Sequence, residues 1–330
     1  MLILTEKDVE SLVTFQEIID INEQVFIKQS KKEVNCPNRI IIGLKDKGNS
    51  YFKPALVDDM AVGLKVVSSV PSNQDRGLPN TPATVMLLDP ESGVVQCLIS
   101  ATYLTGLRTA AGSAIATKYM AREDTSVMVV FGSGIQADLH IRMILLVRSC
   151  IKTVYISSRT VEKVDVLIKE LASLYKNVEF INSSAFNVKE VIGKADIIVG
   201  ASSSKSPLFS GNDVKEGTHL CLVGTSLPDA REIDSVTMVR SKVIVDDYNS
   251  CIMAGDISIP IKEGLIDKSH ILSELGDLLT GGINPRLLDS NCITLYKSSG
   301  TAIQDIATGS LLYQKALQSK TGQFIDMNGK

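Results

Sequence analysis

Residues 126–137 read SVMVVFGSGIQA, and the fold follows from this stretch. Val127, Met128, Val129, Val130 and Phe131 form a β-branched and apolar run that stops at Gly132-Ser133-Gly134. A helical pattern then begins, with Ile135, Leu139, Met143 and Leu146 on one face. Strand, tight glycine turn and helix make the phosphate-cradling corner of a dinucleotide-binding unit. The first glycine permits the turn, and the second lets the backbone approach a pyrophosphate. Ala137 is the small residue that lets helix pack on strand. The start of the helix offers free N–H groups and the positive end of its dipole to phosphate oxygens.

Downstream of this corner, strand and helix patterns alternate. Strands are expected at Thr153–Ser157, Val178–Ile181, Asp196–Gly200, His219–Gly224, Val243–Asp246 and Ile293–Lys297, with a helix over Val161–Tyr175. That rhythm builds βαβ units and a Rossmann-type, doubly wound parallel sheet in an α/β protein. The end of the second strand discriminates between the nicotinamide dinucleotides, because a carboxylate there accepts from the ribose 2′-hydroxyl. Here the strand runs into Ser157-Ser158-Arg159-Thr160, without a carboxylate and with an arginine suited to a 2′-phosphate. NADPH is therefore expected, with NADH possible. Gly200-Ala201-Ser202-Ser203-Ser204 and Gly224-Thr225-Ser226-Leu227-Pro228-Asp229 follow later strands, where such sheets bind ligands.

Upstream, residues 5–30 read as helix, with a capping box at Thr14 and Glu17. Strand patterns follow at Ile40–Gly43, Tyr51–Val57, Ala61–Val70, Thr84–Leu88 and Val94–Ile99, giving an antiparallel sheet with no phosphate loop. Lys65 interrupts the apolar run Val62–Val67, and Arg108 lies in the helical segment Leu104–Ala111. A cation in such surroundings needs a carboxylate or phosphate partner, or else snorkels to water. The small-residue helix after Arg108 ends near Met120-Ala121-Arg122, a natural boundary. The last helix, carrying Ile303, Ile306, Tyr313 and Leu317, is expected to return to the first domain.

With 330 residues the chain accommodates two domains, and 44% hydrophobic with 22% charged residues describes an ordinary globular protein. A net charge of −3 gives no electrostatic reason to expect nucleic acid or an anionic membrane as partner. The opening MLILTEKDVE has the pattern of neither a signal nor a transit peptide, and no apolar run approaches membrane-spanning length. The six cysteines lie far apart without metal or disulfide spacing, which suits reduced thiols in the cytoplasm. His140, His219 and His270 form no metal or nucleophile constellation, and no metal site is expected.

The chain resembles the ornithine cyclodeaminase/mu-crystallin family over nearly its full length. The resemblance rests on Gly63-Leu64-Lys65-Val66-Val67, Leu78-Pro79, Ala83-Thr84-Val85, Asp89-Pro90-Glu91-Ser92-Gly93 and Thr105-Gly106-Leu107-Arg108-Thr109-Ala110-Ala111. It continues through the glycine turn, Ser158-Arg159-Thr160, Pro228-Asp229-Ala230-Arg231-Glu232-Ile233-Asp234, Leu275-Gly276-Asp277-Leu278 and Lys297-Ser298-Ser299-Gly300-Thr301-Ala302. It implies a homodimer with the active site in a cleft. The smaller α+β substrate and dimerisation domain would comprise residues 1–118 with 301–330, and the Rossmann domain residues 119–300. By position, Arg39, Lys65 and Arg108 would hold the α-carboxylate of an imino or amino acid, with Lys65 also the acid–base group and Ser299 nearby. Cofactor-contacting positions would be Thr84, Arg108, Gly132, Ser133, Gly134, Ile135, Gln136, Ser158, Arg159, Thr160, Ser202, Val223 and Ser298. Ornithine cyclodeaminases carry an aspartate at the substrate position occupied here by Ser226, and a serine cannot attract a terminal ammonium by charge. The resemblance therefore implies a ketimine reductase or amino acid dehydrogenase. The alternatives are cyclodeamination, a condensing synthase, and a non-catalytic NADPH-binding protein of the crystallin type.

Overall fold

The computed structural model describes residues 1–45 and 47–327, which divide into two compact units. One comprises Met1–Arg108 with Thr301–Lys330, the other Thr109–Gly300. The dividing line falls inside a helix, ten residues before the 118/119 boundary that the resemblance implies.

The first unit opens with β1 (Leu2–Leu4), α1 (Glu6–Leu12) and α2 (Phe15–Ser30). The single helical stretch expected over 5–30 is thus two helices. Val13 is extended, and Thr5 and Thr14 each close a capping box, with Asp8 and Glu17 respectively. Each box satisfies two N-terminal donors, so two short helices start where one continuous helix would have left Thr14 in its interior. There follow β2 (Val34–Asn35), β3 (Ile40–Gly43), β4 (Asn49–Val57), β5 (Ala61–Ser69), β6 (Ala83–Leu88) and β7 (Val95–Ser100). Strands β4 to β7 form an antiparallel meander in which Lys53 faces Lys65 and Lys65 faces Val85. α3 (Thr102–Met120) carries the chain into the second unit.

That unit contains β8 (Val127–Phe131), α4 (Ile135–Val147), β9 (Thr153–Ser157), α5 (Val161–Leu174), β10 (Glu179–Asn182), α6 (Val188–Ile192), β11 (Ile197–Gly200) and β12 (His219–Leu222). It continues with α7 (Ser235–Arg240), β13 (Ser241–Val245), α8 (Tyr248–Cys251), α9 (Gly255–Lys262), β14 (Ile271–Glu274), α10 (Leu275–Leu279), α11 (Pro285–Leu288) and β15 (Ile293–Lys297). The eight strands are parallel in the order β10-β9-β8-β11-β12-β15-β13-β14. The order reverses at β8, and β8 and β11 leave their carboxyl ends side by side at that switch point, where doubly wound sheets bind ligands. Val129, Ile198, Leu220, Leu222, Val243 and Leu295 are buried in the core on this sheet.

The chain ends with α12 (Ala302–Ser319) and β16 (Gln323–Phe324), which belong to the first unit. There α12 packs on α2 and on β4, β5 and β6, and β16 pairs with β1 at the sheet edge. Among the described residues no helix is long and apolar enough to cross a membrane.

Candidate functional site

In the second unit the glycine turn is built as its sequence requires. Gly132 has φ of +137°, and a Cβ there would lie 2.5 Å from the Ala201 carbonyl oxygen, so only glycine fits. Gly134 is the N-cap of α4 without a side chain to cap it, and space opens around it. The first N–H groups of this 13-residue helix are therefore left to an external acceptor. Gln136 Oε1 is buried with no hydrogen-bond partner among the described residues. Ser133 donates to Ser158 Oγ at 3.0 Å, tying the turn to the end of β9. Arg159 is exposed and donates to Ser203 Oγ at 3.1 Å, while Thr160 is the N-cap of α5 and leaves it without a side-chain capping bond. Turn, uncapped helix and small polar rim fit a dinucleotide.

His140 is a satisfied core histidine. The Gln136 carbonyl can only accept, so Nδ1 donates to it at 2.6 Å, and Nε2 accepts from Ser113 at 3.0 Å. Burial pushes its pKa down to about 4.

At the carboxyl edge of the same sheet, Ser202 lies after β11, while Val223 and Ser226 follow β12 and are half-buried. Ser298 donates to Asp246 Oδ2 at 2.7 Å, and the N–H groups of Ser299 and Gly300 reach the two oxygens of the same carboxylate at 3.1 and 2.6 Å. The tail motif is thus wrapped around one aspartate. Among the described residues no group of three or more His, Cys, Asp or Glu side chains could hold a metal ion.

The first unit answers the question raised by its two odd cations. Lys65 and Arg108 converge on Asp305 of α12: Lys65 Nζ donates to Oδ1 at 2.6 Å, and Arg108 Nε to the same oxygen at 2.8 Å. Lys65 and Asp305 are fully buried and Arg108 is 5% exposed. The cluster is incomplete, because Arg108 Nη1 and Asp305 Oδ2 are buried without hydrogen-bond partners among the described residues. Burial and the Arg108 guanidinium drive the pKa of Lys65 well below the ordinary lysine value, with Lys53 adding to the effect and Asp305 opposing it. Burial opposes the charge on Asp305, yet Arg108, Lys65 and Lys53 outweigh it and hold the carboxyl below its ordinary value.

Arg39 is not part of this cluster. It precedes β3 with its guanidinium 5.5 Å from the centre of the Tyr51 ring. Thr84 is exposed on β6 between Val66 and Ser100. Two members of the cluster escaped the sequence reading. Lys53 is 6% exposed, and its position opposite Lys65 is a matter of register. Asp305 lies in the first turn of α12, a common place for an acid; the available signal was that its i±3 and i±4 neighbours are Thr301, Ala302, Thr308 and Gly309.

A dinucleotide turn on a parallel sheet, and an unsaturated lysine–arginine pair returned to an acid in the last helix, occur here in one chain. Residues 1–320 match the sequence profile of the ornithine cyclodeaminase/mu-crystallin family. The chain belongs to that family. Within it, an uncharacterized cyclodeaminase of Dictyostelium discoideum is 47% identical, the match covering 99% of this chain and 100% of the relative. The Thermococcus litoralis Δ1-pyrroline-2-carboxylate reductase, solved with NADH and L-proline, superposes with a TM-score of 0.93 at 33% identity, covering 98% of this chain and 100% of that one. An archaeal alanine dehydrogenase dimer with bound NAD gives 0.92 at 28% identity over 99% of each chain. The family match carries the sequence-based α/β assignment with it.

Proposed function

We propose that this chain is an NAD(P)H-dependent reductase of small cyclic 2-imino acids. The observation that carries the reading is Arg108 Nη1, a buried guanidinium nitrogen without a partner beside a buried lysine. Such a donor suits a carboxylate, which a guanidinium meets with two parallel N–H groups. Lys65 and Arg108 are the proposed contacts of the substrate α-carboxylate, with Arg39, Ser226 and Ser299 as further substrate contacts. Gly132, Ser133, Gly134, Ile135 and Gln136 are the proposed contacts of the dinucleotide phosphates, with Thr84, Arg108, Ser202, Val223 and Ser298 toward its nicotinamide half. Ser158, Arg159 and Thr160, without a carboxylate beside them on β9, favour the 2′-phosphate of NADPH, with NADH as the lesser cofactor.

Reduction of C=N takes up one hydride at carbon and one proton at nitrogen, and a reduced nicotinamide held at the glycine turn would be the source of the hydride. Lys65 delivers that proton. Its lowered pKa makes the ammonium a readier acid than an exposed lysine, and Asp305 holds it in place. Arg108 fixes the carboxylate and with it the orientation of the reacting carbon. Asp305 remains ionised beside its two cations and orients both.

A homodimer accompanies this reading. Ile40, Ile41 and Ile42 of β3 are 60, 53 and 51% exposed on a strand that, among the described residues, pairs only with β4, an apolar edge suited to a second copy. All six cysteines are free, in keeping with a cytoplasmic protein.

The test is loss of reduced-nicotinamide absorbance with pyrroline-2-carboxylate or piperideine-2-carboxylate. A parallel arm offers ornithine with NAD and measures proline and ammonia. Consumption of NADPH with a silent ornithine arm is expected. Cyclodeamination is the second reading, favoured by the description of the D. discoideum relative and disfavoured by Ser226. Proline with ammonia from ornithine would establish it instead. Dinucleotide binding without turnover in either arm would leave a non-catalytic binding protein.

A further inference from the structure

Glu232 lies in the loop between β12 and α7 and is fully buried. Its carboxylate accepts from the loop that leaves β11 and from the beginning of its own loop. Oε1 accepts from the Ser202 N–H and from the Ser202 hydroxyl, each at 2.8 Å. Oε2 accepts from the Gly224 N–H at 2.8 Å. Ser202 lies in the loop leaving β11 and Gly224 in the loop leaving β12, adjacent parallel strands of the sheet. One side chain therefore bridges two neighbouring loops at the carboxyl edge. The approach is close enough to explain a residue identity: a Cβ on Gly224 would lie 2.1 Å from the Ser202 carbonyl oxygen and 2.4 Å from Glu232 Oε1.

The bridge is itself anchored. Asp256 accepts from the Glu232 N–H at 2.7 Å and from the Ile233 N–H at 3.3 Å. Lys297, also fully buried, donates to Asp256 Oδ2 at 2.8 Å and to the Thr225 carbonyl at 2.6 Å, so it holds the β12 loop a second time. Glu232, Asp256 and Lys297 form a buried frame with its loop donors engaged, and such a network gains from every bond being made.

We propose that Glu232 is a positioning residue for the nicotinamide half of the dinucleotide. It locks the β11 and β12 loops into the single arrangement in which Ser202 and Val223 present themselves to the cofactor. The proposal rests on the dinucleotide reading above. Its reach is local, since the glycine turn and the Ser158–Thr160 rim, which take the phosphates and the adenosine end, belong to other loops.

That locality sets the test. Glu232→Gln keeps the shape and one good acceptor but places an NH₂ group against an N–H donor, releasing one of the two loops. On the full-length protein, NADPH affinity should fall about tenfold or more, the range for a lost bond to a charged acceptor. The kcat with an imino acid should fall with it. Affinity for 2′-phospho-ADP-ribose, which lacks the nicotinamide, should stay within about twofold by the same principle. Equal weakening of both ligands with a lowered Tm would make Glu232 merely structural and overturn the proposal; so would unchanged NADPH affinity and kcat. Hydrogen exchange on the unliganded wild-type protein reads the same anchors without any substitution. The Ser202 and Gly224 amides should be protected, and rapid exchange at either overturns the lock. A wild-type protein that binds neither ligand would instead refute the dinucleotide reading, a separate outcome.

Discussion

Each unit buries a cluster of lysine and carboxylate, and the two clusters are built to opposite ends. In the first, Lys65 and Arg108 share one oxygen of Asp305, and the charge of Lys53 adds to theirs. Among the described residues an arginine nitrogen and a carboxylate oxygen there lack hydrogen-bond partners. In the second, one cation, Lys297, lies among Asp256 and Glu232, whose oxygens are met by backbone N–H groups, a hydroxyl and the ammonium. The lysine pKa values register the difference. That of Lys65 lies well below ordinary, because burial and a second cation oppose its charge. That of Lys297 is raised: burial opposes its charge as well, but Asp256 and Glu232 outweigh it. A buried group whose bonds are all made holds its neighbours in one arrangement. One left with open valences has donors and acceptors to offer a ligand.

Replacing each lysine by methionine is the strongest way to break the comparison. Lys65→Met leaves Asp305 paired with Arg108, so the protein should fold. Turnover should drop by about 10²–10⁴-fold, the contribution of a positioned acid–base group, in a steady-state assay. Lys297→Met leaves two buried carboxylates facing each other and should cost about 3–5 kcal/mol, read as a shift in the urea midpoint. Equal loss of stability in both variants would end the distinction.

Arg108→Lys keeps the charge but removes the planar fork. A rise in KM for the imino acid of about 10–100-fold is expected, matching the ~1.5–3 kcal/mol of a hydrogen bond to a charged group. A change confined to kcat would move Arg108 from anchoring to chemistry. Arg159→Ala should weaken NADPH about tenfold and leave NADH nearly unaffected, as equilibrium fluorescence titration can measure. Equal weakening would remove the 2′-phosphate assignment.

The smallest effect is in pH dependence. With Lys65 as proton donor, imine reduction declines as pH rises through its lowered pKa. Lys53→Met removes one neighbouring cation, so the declining limb should move to higher pH by about one unit. An unmoved limb would assign it to another group. Stability follows the same signs. The contribution of Lys297 is present below the ordinary lysine value of 10.5 and is lost as pH climbs through its raised pKa. Lys65 acts oppositely: between its lowered pKa and 10.5 the folded state binds fewer protons than the unfolded, so stability rises with pH across that window.

Much of this fold could be read from local pattern. The strands Thr153–Ser157 and Ile293–Lys297, the glycine turn and the meander follow from alternation, β-branching and glycine punctuation within a few residues, and they appear as expected. The short strands β1 and β16 were not legible, because three and two residues carry no period: β1 is fixed by pairing with the distant β7, and the edge strand β16 pairs with β1 only once the tail returns. Arg39 lies over Tyr51, a contact that local pattern does not reveal because it is set by the pairing of β3 with β4.

The sequence by itself determined that the second unit is a dinucleotide fold, since turn, strand and helix are written in contiguous residues. It also marked Lys65 and Arg108 as cations in need of a partner. Only the tertiary structure decided who that partner is and what it leaves undone. Asp305 lies 240 residues from Lys65, Glu232 reaches back 30 residues to Ser202, and both carboxylates were ordinary until burial removed water from around them. Charge in an apolar interior must be matched by whatever the fold brings within reach, and the chain's path through space, not its local pattern, selects those groups.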